Sequence, residues 1–206
     1  MDSIEREALR QHERKLQKQK DSIQRKKQNY YKNMNKKKIV PDNSISLDAY
    51  KKLGDDKAKI RAEQRLKEWC HRYILLRDLF IDVDGKIKGK CIGCGKIWVV
   101  KFYSTGSIMN FDRWCASHYF RKDMYNSIAY DEINLNLSCW NCNVNLSGNL
   151  NLYKINLIAK RGQAAFDALE LRRNNPKHYN ILELIKLKEK FMDLTKIELT
   201  RLGIKL

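Results

Sequence analysis

Apolar positions along the chain change period in a way that predicts helix, then short strands, then helix again. From Leu47 to Phe80, the residues Ile60, Leu66, Trp69, Tyr73, Leu76 and Phe80 recur near helical spacing. This predicts a helix with one face on a core, and Lys57, Lys59, Arg61, Arg65 and Lys67 lie largely off that stripe. Asp82-Val83-Asp84-Gly85 reads as a turn. Ile97-Trp98-Val99-Val100-Lys101-Phe102-Tyr103 is a β-branched and aromatic run that predicts a strand, and Asn110 to Tyr119 would supply a second. Asn143 to about Arg161 reads as helix interrupted near Ser147-Gly148. Ala164 to Arg173 follows as a helix stopped by Asn174-Asn175-Pro176. Ile181 to Leu202 is the last helix, with Ile181, Leu182, Ile185, Leu187, Phe191, Leu194 and Ile197 as its apolar face.

Residues 1–40 carry only a weak apolar stripe, Ile4, Ala8, Leu9 and Leu16, with 13 Lys+Arg against 5 Asp+Glu. A solvated helix, a disordered tail and a DNA-contact arm all fit that pattern. Val40-Pro41-Asp42-Asn43-Ser44 is a break. The expected organisation is a basic arm over 1–40, a helical region over 45–82, a centre over 86–161 and C-terminal helices over 162–206.

Composition sharpens the picture. The 206 residues are 43% hydrophobic, enough for one ordinary domain or a small domain with helical extensions. A formal net charge of +18 draws the chain to polyanions, of which nucleic acid is the commonest. A ribosome-associated or membrane-surface protein is the bland alternative. No run of 18 apolar residues is present, so no transmembrane helix is expected. The N-terminus is charged and has no apolar signal core, which makes a cytoplasmic protein the expectation. Thiols stay reduced there, so six Cys argue for metal rather than disulfides.

Four of those Cys stand at ligand spacing. Cys91-x2-Cys94 and Cys139-x2-Cys142 would supply four thiolates to a structural Zn(II), and the 44 residues between them leave room for an inserted active site. An iron–sulfur cluster or a redox dithiol are the other readings. Four thiolates close the coordination sphere, so this metal would hold the fold and not do chemistry. Cys70 and Cys115 read as small, partly buried apolar residues. Of the four His, His12, His71 and His178 read as structural. His118 differs, because it falls between the Cys pairs just after a predicted strand. Phosphodiester hydrolysis needs a base, a metal and an orienting group. His118 fits the base, Asn134 would bond a main-chain carbonyl or orient the imidazole, and Asn143 would offer oxygen to a Mg(II)-type ion.

Taken together, the two Cys pairs, His118-Tyr119, Glu132-Ile133-Asn134, Asn143 and Leu146-Ser147-Gly148-Asn149-Leu150 resemble the phage NinG (Rap) recombination family. The likeness runs over roughly residues 60–172. It extends into Tyr153-Lys154, Gly162-Gln163 and Asp167 to Glu170, and back into Tyr73 to Asp78. The resemblance implies an α+β fold: a small zinc-stabilised ββα-metal (HNH-like) core flanked by N- and C-terminal helices. It implies a metal-dependent endonuclease cutting branched DNA, such as Holliday junctions and D-loops, in phage recombination, inside the bacterial host cell. By position, His118 takes the family's catalytic His, Asn134 the middle Asn and Asn143 the metal-binding position. Glu132 matches an acidic residue of the family, as a ligand or an orienting group. The implied cofactors are structural Zn(II) and catalytic Mg(II) or Mn(II).

Three positions depart from the pattern. Ser117 stands where many HNH enzymes have Asp or His, Cys115 where acidic or His residues are common, and Ala129 where Arg is expected. The first metal ligand is therefore unassigned, with Asp112, Asp123, Asp131 and Glu132 the carboxylates nearby. Arg113, Arg121 and Lys122 flank His118 and would grip phosphates, with Trp98, Tyr103, Tyr119 and Tyr125 interleaved. A non-catalytic zinc-stabilised DNA-binding protein and a less selective HNH nuclease are the competing readings, with an RNA-binding knuckle protein more distant. Paired cuts at a junction favour a homodimer, with Ile181–Leu202 as a candidate interface.

Overall fold

A computed structural model of the chain describes residues 55–105, 108–111 and 113–204, and scattered helical positions between 11 and 25. The chain divides into two units, Met1–Lys52 and Leu53–Leu206. In the first, the described positions are helical, and the Gln17 side chain donates to Asp21 one turn on at 2.8 Å. The rest of the arm expected over 1–40, the break at Val40–Ser44 and the carboxylate of Asp112 lie outside the described residues.

The second unit begins with helix α1, Asp55–Arg77. Three antiparallel strands follow, β1 (Leu79–Ile81), β2 (Ile87–Lys90) and β3 (Ile97–Val99), in that spatial order. A separate hairpin joins β4 (Phe102–Thr105) to β5 (Ile108–Phe111). Strand β6 (Trp114–His118) pairs antiparallel with β7 (Leu135–Cys139), setting Ser117 opposite Asn136 and His118 opposite Leu135. A π-helical turn, Asn141–Asn145, leads to helices α2 (Leu150–Arg161), α3 (Gln163–Arg173) and α4 (Ile181–Leu202). The architecture is a mixed α+β one of helices and small antiparallel sheets. Among the described residues no helix is long and apolar enough to cross a membrane.

Helix α1 stops before the predicted Phe80. Leu79-Phe80-Ile81 forms β1, because the Asp82–Gly85 turn folds the chain back to pair Phe80 with Lys88. Gly85 takes a φ of 73° there, which a residue with a Cβ adopts at a cost. The buried face of α1 also differs from the expected stripe. Ala58, Ala62, Leu66, Cys70, Tyr73, Ile74 and Leu76 are buried, whereas Ile60 is 55% exposed. Small Ala residues allow the N-terminal half of α1 to lie close to its neighbours, and Ile60 falls on the exposed side. The predicted strand Ile97–Tyr103 is two strands, split at Val100-Lys101 because β3 pairs with β2 and β4 with β5. Likewise the predicted strand Asn110–Tyr119 is split at Arg113, whose φ of 61° turns the chain from β5 into β6.

Helix α4 has the predicted boundaries. Asn180 caps it by accepting from the Glu183 amide at 3.0 Å, and the Glu183 carboxylate accepts from the Asn180 amide at 2.9 Å. It packs along α1. Its buried face is Leu184, Lys188, Phe191, Leu194, Thr195, Glu198, Leu199 and Leu202, rotated from the predicted one, so Leu182 is exposed. The rotation brings Arg201 onto the end of α1, where it donates to the carbonyls of Leu76 at 2.8 Å and Leu79 at 2.9 Å.

Polar groups at the end of α1 tie the unit together. The Asp78 carboxylate accepts from Arg77, from Lys160 of α2 at 2.8 Å and from the Leu137 amide of β7 at 2.8 Å. Arg77 donates to the carbonyls of Glu132 and Leu135, at 2.7 and 2.8 Å. Burial works against the Asp78 charge, but Arg77 and Lys160 outweigh it and hold the carboxyl well below the usual range. Burial pulls the Lys160 ammonium down to about 8 against the attraction of Asp78. Removing one member of such a set leaves the others charged and unpaired. Asp78→Ala should lower the unfolding free energy by about 3–5 kcal/mol, read from denaturant midpoints, and a loss below about 1 kcal/mol would refute the role given to it.

Candidate metal centre and histidine site

The loop between β2 and β3 carries Cys91 and Cys94, and the end of β7 and the turn after it carry Cys139 and Cys142. Their four sulfurs lie within 4.8 Å of one another. A tetrahedral Zn(II) with bonds of about 2.3 Å sets its sulfurs about 3.8 Å apart, so small side-chain adjustments close the site. These four cysteines could hold a structural metal such as zinc. The surroundings fit thiolates. The Cys139 amide donates to Cys91 Sγ at 3.2 Å, the Cys142 amide to Cys139 Sγ at 3.4 Å, and the Asn149 amide group to Cys142 Sγ at 3.9 Å. At Cys91 burial opposes ionisation, but N–H groups of Cys139, Cys94 and Gly93 and the Ser138 hydroxyl bring the thiol down to about 7. Burial and the adjacent thiols push Cys142 up, a cost that a bound cation would remove.

Local sequence explains the approach of the two loops. A Cβ on Gly93 would stand 2.9 Å from Cys142 Cβ, so only glycine lets the loops meet. Ser147, Gly148 and Asn149 have φ of 48°, 92° and 50°, a left-handed run that reverses the chain between the π-helical turn and α2. Asn149 then donates to the Gly93 carbonyl at 2.9 Å, clasping the first knuckle. The predicted interruption near Ser147-Gly148 is this reversal.

His118 ends β6, close to the surface of the same unit. Its Nε2 lies 2.9 Å from the Ala129 carbonyl, and that oxygen can only accept, so Nε2 carries the proton and Nδ1 keeps its lone pair. Burial lowers the imidazole's proton affinity from its ordinary value, Ala129 raises it in part, and Lys122 and Lys67 lower it further. The ring is therefore neutral near pH 7.

Asn134 is fully buried and makes three bonds across the β6–β7 loop. Its Oδ1 accepts from the Phe120 amide at 2.8 Å, and its Nδ2 donates to the Phe120 and Ile128 carbonyls at 3.0 Å each. Its predicted bond to a main-chain carbonyl is present. Its bonds fix the loop that presents Ala129 to His118, so it acts on the imidazole at one remove. Asn143 is half-buried in the π-helical turn and donates to the Cys115 thiol, which burial pushes up.

Three carboxylates considered as ligands are engaged elsewhere. Glu132 accepts from Tyr73 and Lys190 at 2.8 Å each, Asp131 from Arg172 at 2.9 Å, and Asp123 from Arg121 at 2.6 Å. Lys190 and Tyr73 draw the Glu132 carboxyl down to about 2 in spite of burial. Among the described residues, Asn143 is thus the one oxygen donor of the predicted set beside the Cys115 strand position, and a soft thiol is its neighbour. That donor set does not complete a hard-cation site of protein atoms.

Arg113, Arg121 and Lys122 are exposed, Arg121 being paired with Asp123. Tyr119 packs on Phe120, Tyr153 and Phe166, and Tyr125 on Phe120. Trp98 is 41% exposed and meets Trp114 edge to face. The side chain of Tyr103 lies outside the described residues. One neighbour of His118 was missed in the sequence. His71 of α1 meets its ring edge to face at a centroid distance of 6.0 Å. Nothing in the one-dimensional pattern sets His71 apart from a core histidine.

If the thiol cluster holds zinc, purified protein should carry about one zinc per chain. Cys91→Ser should cut that to near zero and lower the melting midpoint, while Cys70→Ser should leave the metal content unchanged. Zinc retained at full occupancy in Cys91→Ser, by metal analysis, would exclude the site.

Comparison with known proteins bears on this geometry. The family described as "Bacteriophage Lambda NinG protein" matches residues 1–201. Protein ninG of Escherichia phage 933W is 29% identical over 106 residues, which is 52% of this chain and 46% of that protein. Protein ninG of Enterobacteria phage H19B is 37% identical over 71 residues, 34% of this chain and 35% of that protein. Protein ninG of Escherichia phage lambda is 31% identical over 84 residues, 41% of this chain and 35% of that protein. The chain thus spans under half the length of these relatives. No solved structure matches. With residues 1–201 of its 206 matched by that family, this chain belongs to the bacteriophage NinG family.

Proposed function

We propose that the chain is an HNH-like, metal-dependent endonuclease that cuts branched DNA in phage recombination. The observation carrying this reading is the tautomer imposed on His118. The Ala129 carbonyl accepts the hydrogen bond from Nε2–H, Asn134 holds the loop that supplies Ala129, and burial keeps the ring neutral. Nδ1 is then a base of the kind phosphodiester hydrolysis needs. Water gives its proton to Nδ1 as its oxygen attacks phosphorus. The bond from phosphorus to the leaving sugar oxygen breaks, and that oxygen takes a proton from solvent. The order of strand β6, strand β7 and the π-helical turn that carries Cys142 and Asn143 supports reading this thiol-flanked segment as an HNH-like ββα element. The net charge of +18 favours a polyanionic substrate. Lys122 is exposed near the histidine for phosphate contact, and Arg113 is exposed at the opposite end of β6. No step is assigned to the divalent ion, because Asn143 and Cys115 do not form a complete hard-cation site.

Purified protein, a labelled four-way junction and the matching linear duplex with Mg(II) or Mn(II) test the reading. Junction-selective cutting should fall at least ~100-fold in His118→Ala, the lower end for loss of a general base. The folded His118 titrates below its ordinary 6.5, and protonation blocks the base. The rate should therefore rise with pH through a value below 6.5 and be flat by pH 7. Tight junction binding with no cutting under either metal would favour a zinc-stabilised, non-catalytic DNA-binding protein. Equal cutting of duplex and junction would favour a less selective nuclease.

Cys115→Asp supplies the missing hard donor beside Asn143. It should lower the Mg(II) concentration for half-maximal cutting by about tenfold, and an unchanged metal requirement would show that position 115 does not meet the ion.

A further inference from the structure

His118 has a second polar wall that the proposed reaction does not use. Helix α1 presents Lys59, Glu63, Lys67 and His71 at four-residue spacing, which puts them along one side. His71 meets the His118 ring at 6.0 Å. Among the described residues its nitrogens have no hydrogen-bond partner in either direction. At the other end of the row, Lys59 and Glu63 line a cleft of about 170 Å³ together with Lys122, Ala129, Lys177 and His178. Ala129 is the residue whose carbonyl fixes His118, so the cleft adjoins the loop that holds the histidine.

The charges around this row are mostly of one sign. Burial pulls the His71 imidazole down to about 3, and His118, Lys67 and Lys122 push it the same way. Among the described residues, Lys67 and Lys122 are the charged side chains acting on both rings, while Glu63 stands between Lys59 and Lys67 in the row and Asp123 lines the cleft. Two imidazoles and two lysines that disfavour further positive charge form a place where an anion relieves the strain. From Lys59 to His71 the helix rises about 18 Å, at about 1.5 Å per residue. That length suits several phosphates of a nucleic-acid strand better than one small anion.

We propose that His71 contacts phosphate beside the His118 base, and that the α1 row Lys59–Lys67–His71 is the wall along which the phosphodiester backbone of the bound strand lies. A neutral His71 donates one N–H to a non-bridging phosphate oxygen, while Lys67 and Lys122 balance its charge. The inference rests on nucleic acid being the ligand of the His118 site, and it does not require that the site cut.

Binding without cutting tests it. In a His118→Ala background of the full, zinc-loaded chain, His71→Gln should weaken binding to a four-way junction about five- to tenfold. Junctions carrying one neutral methylphosphonate at successive positions across the branch supply a readout that a packing role would not move. At one or two adjacent positions the effect of His71→Gln should vanish, because the phosphate charge that His71 contacts is gone. An equal His71→Gln effect on every junction, or none on any, would overturn the proposal. Lys67 is exposed and can be removed without disturbing the core. Lys67→Ala should reduce the slope of log affinity against log salt by about one, and an unchanged slope would also overturn it. If the wild-type protein cuts no DNA while these effects appear, the endonuclease reading fails and the phosphate wall stands. If cutting occurs and these effects do not, the reverse holds.

Discussion

Three elements of the described unit meet at one buried carboxylate, Asp78. It sits where α1 ends, and its partners come from α1, β7 and α2. Arg77 beside it reaches the carbonyls that precede and begin β7. The pair thus positions the strand that carries Asn134 at its entry and Cys139 at its exit. A buried charge is a costly way to join elements, and an apolar contact would often be as stable. Its directional bonds fix register as well as proximity. A one-residue slip of β7 would turn Asn136 and Ser138 away from their partners and move Cys139 off the thiol cluster.

From that frame the two chemical centres follow by short steps. Cys139 and Cys142 extend β7 into the thiol cluster, with Asn149 returning to clasp the first knuckle. Asn134 governs the loop on the other side of β7, and through Ala129 it decides which nitrogen of His118 holds the proton. Neither the cluster nor the imidazole is free to adjust without moving the strand between them. The candidate metal site and the candidate base thereby stand at opposite ends of the β6–β7 pair.

Local signals carried well in the sequence. The four thiols announce themselves by spacing, the Asp82–Gly85 turn by composition, and α4 by period and by its Asn180–Glu183 cap. Strand limits did not carry. Val100-Lys101 and Arg113 look like strand residues, and only pairing partners distributed along the chain reveal the breaks there. The faces of α1 and α4 were misjudged because each buries polar or small residues against the other: Ala58 and Ala62 on one, Lys188, Thr195 and Glu198 on the other. His71 escaped notice for a related reason. Its significance comes from a residue 47 positions later, and no local pattern encodes that distance.

The closing contact of α1 is supplied by Arg201, 125 residues after Leu76. During synthesis at ~5–20 residues per second, α1 leaves the ribosome on the order of 10 s before its main packing partner exists. For that interval Leu66, Tyr73, Ile74 and Leu76, all buried in the finished fold, have no α4 to cover them. A nascent chain in that condition is a natural client for chaperones. The order of its elements makes the folding of α1 depend on synthesis continuing through α4.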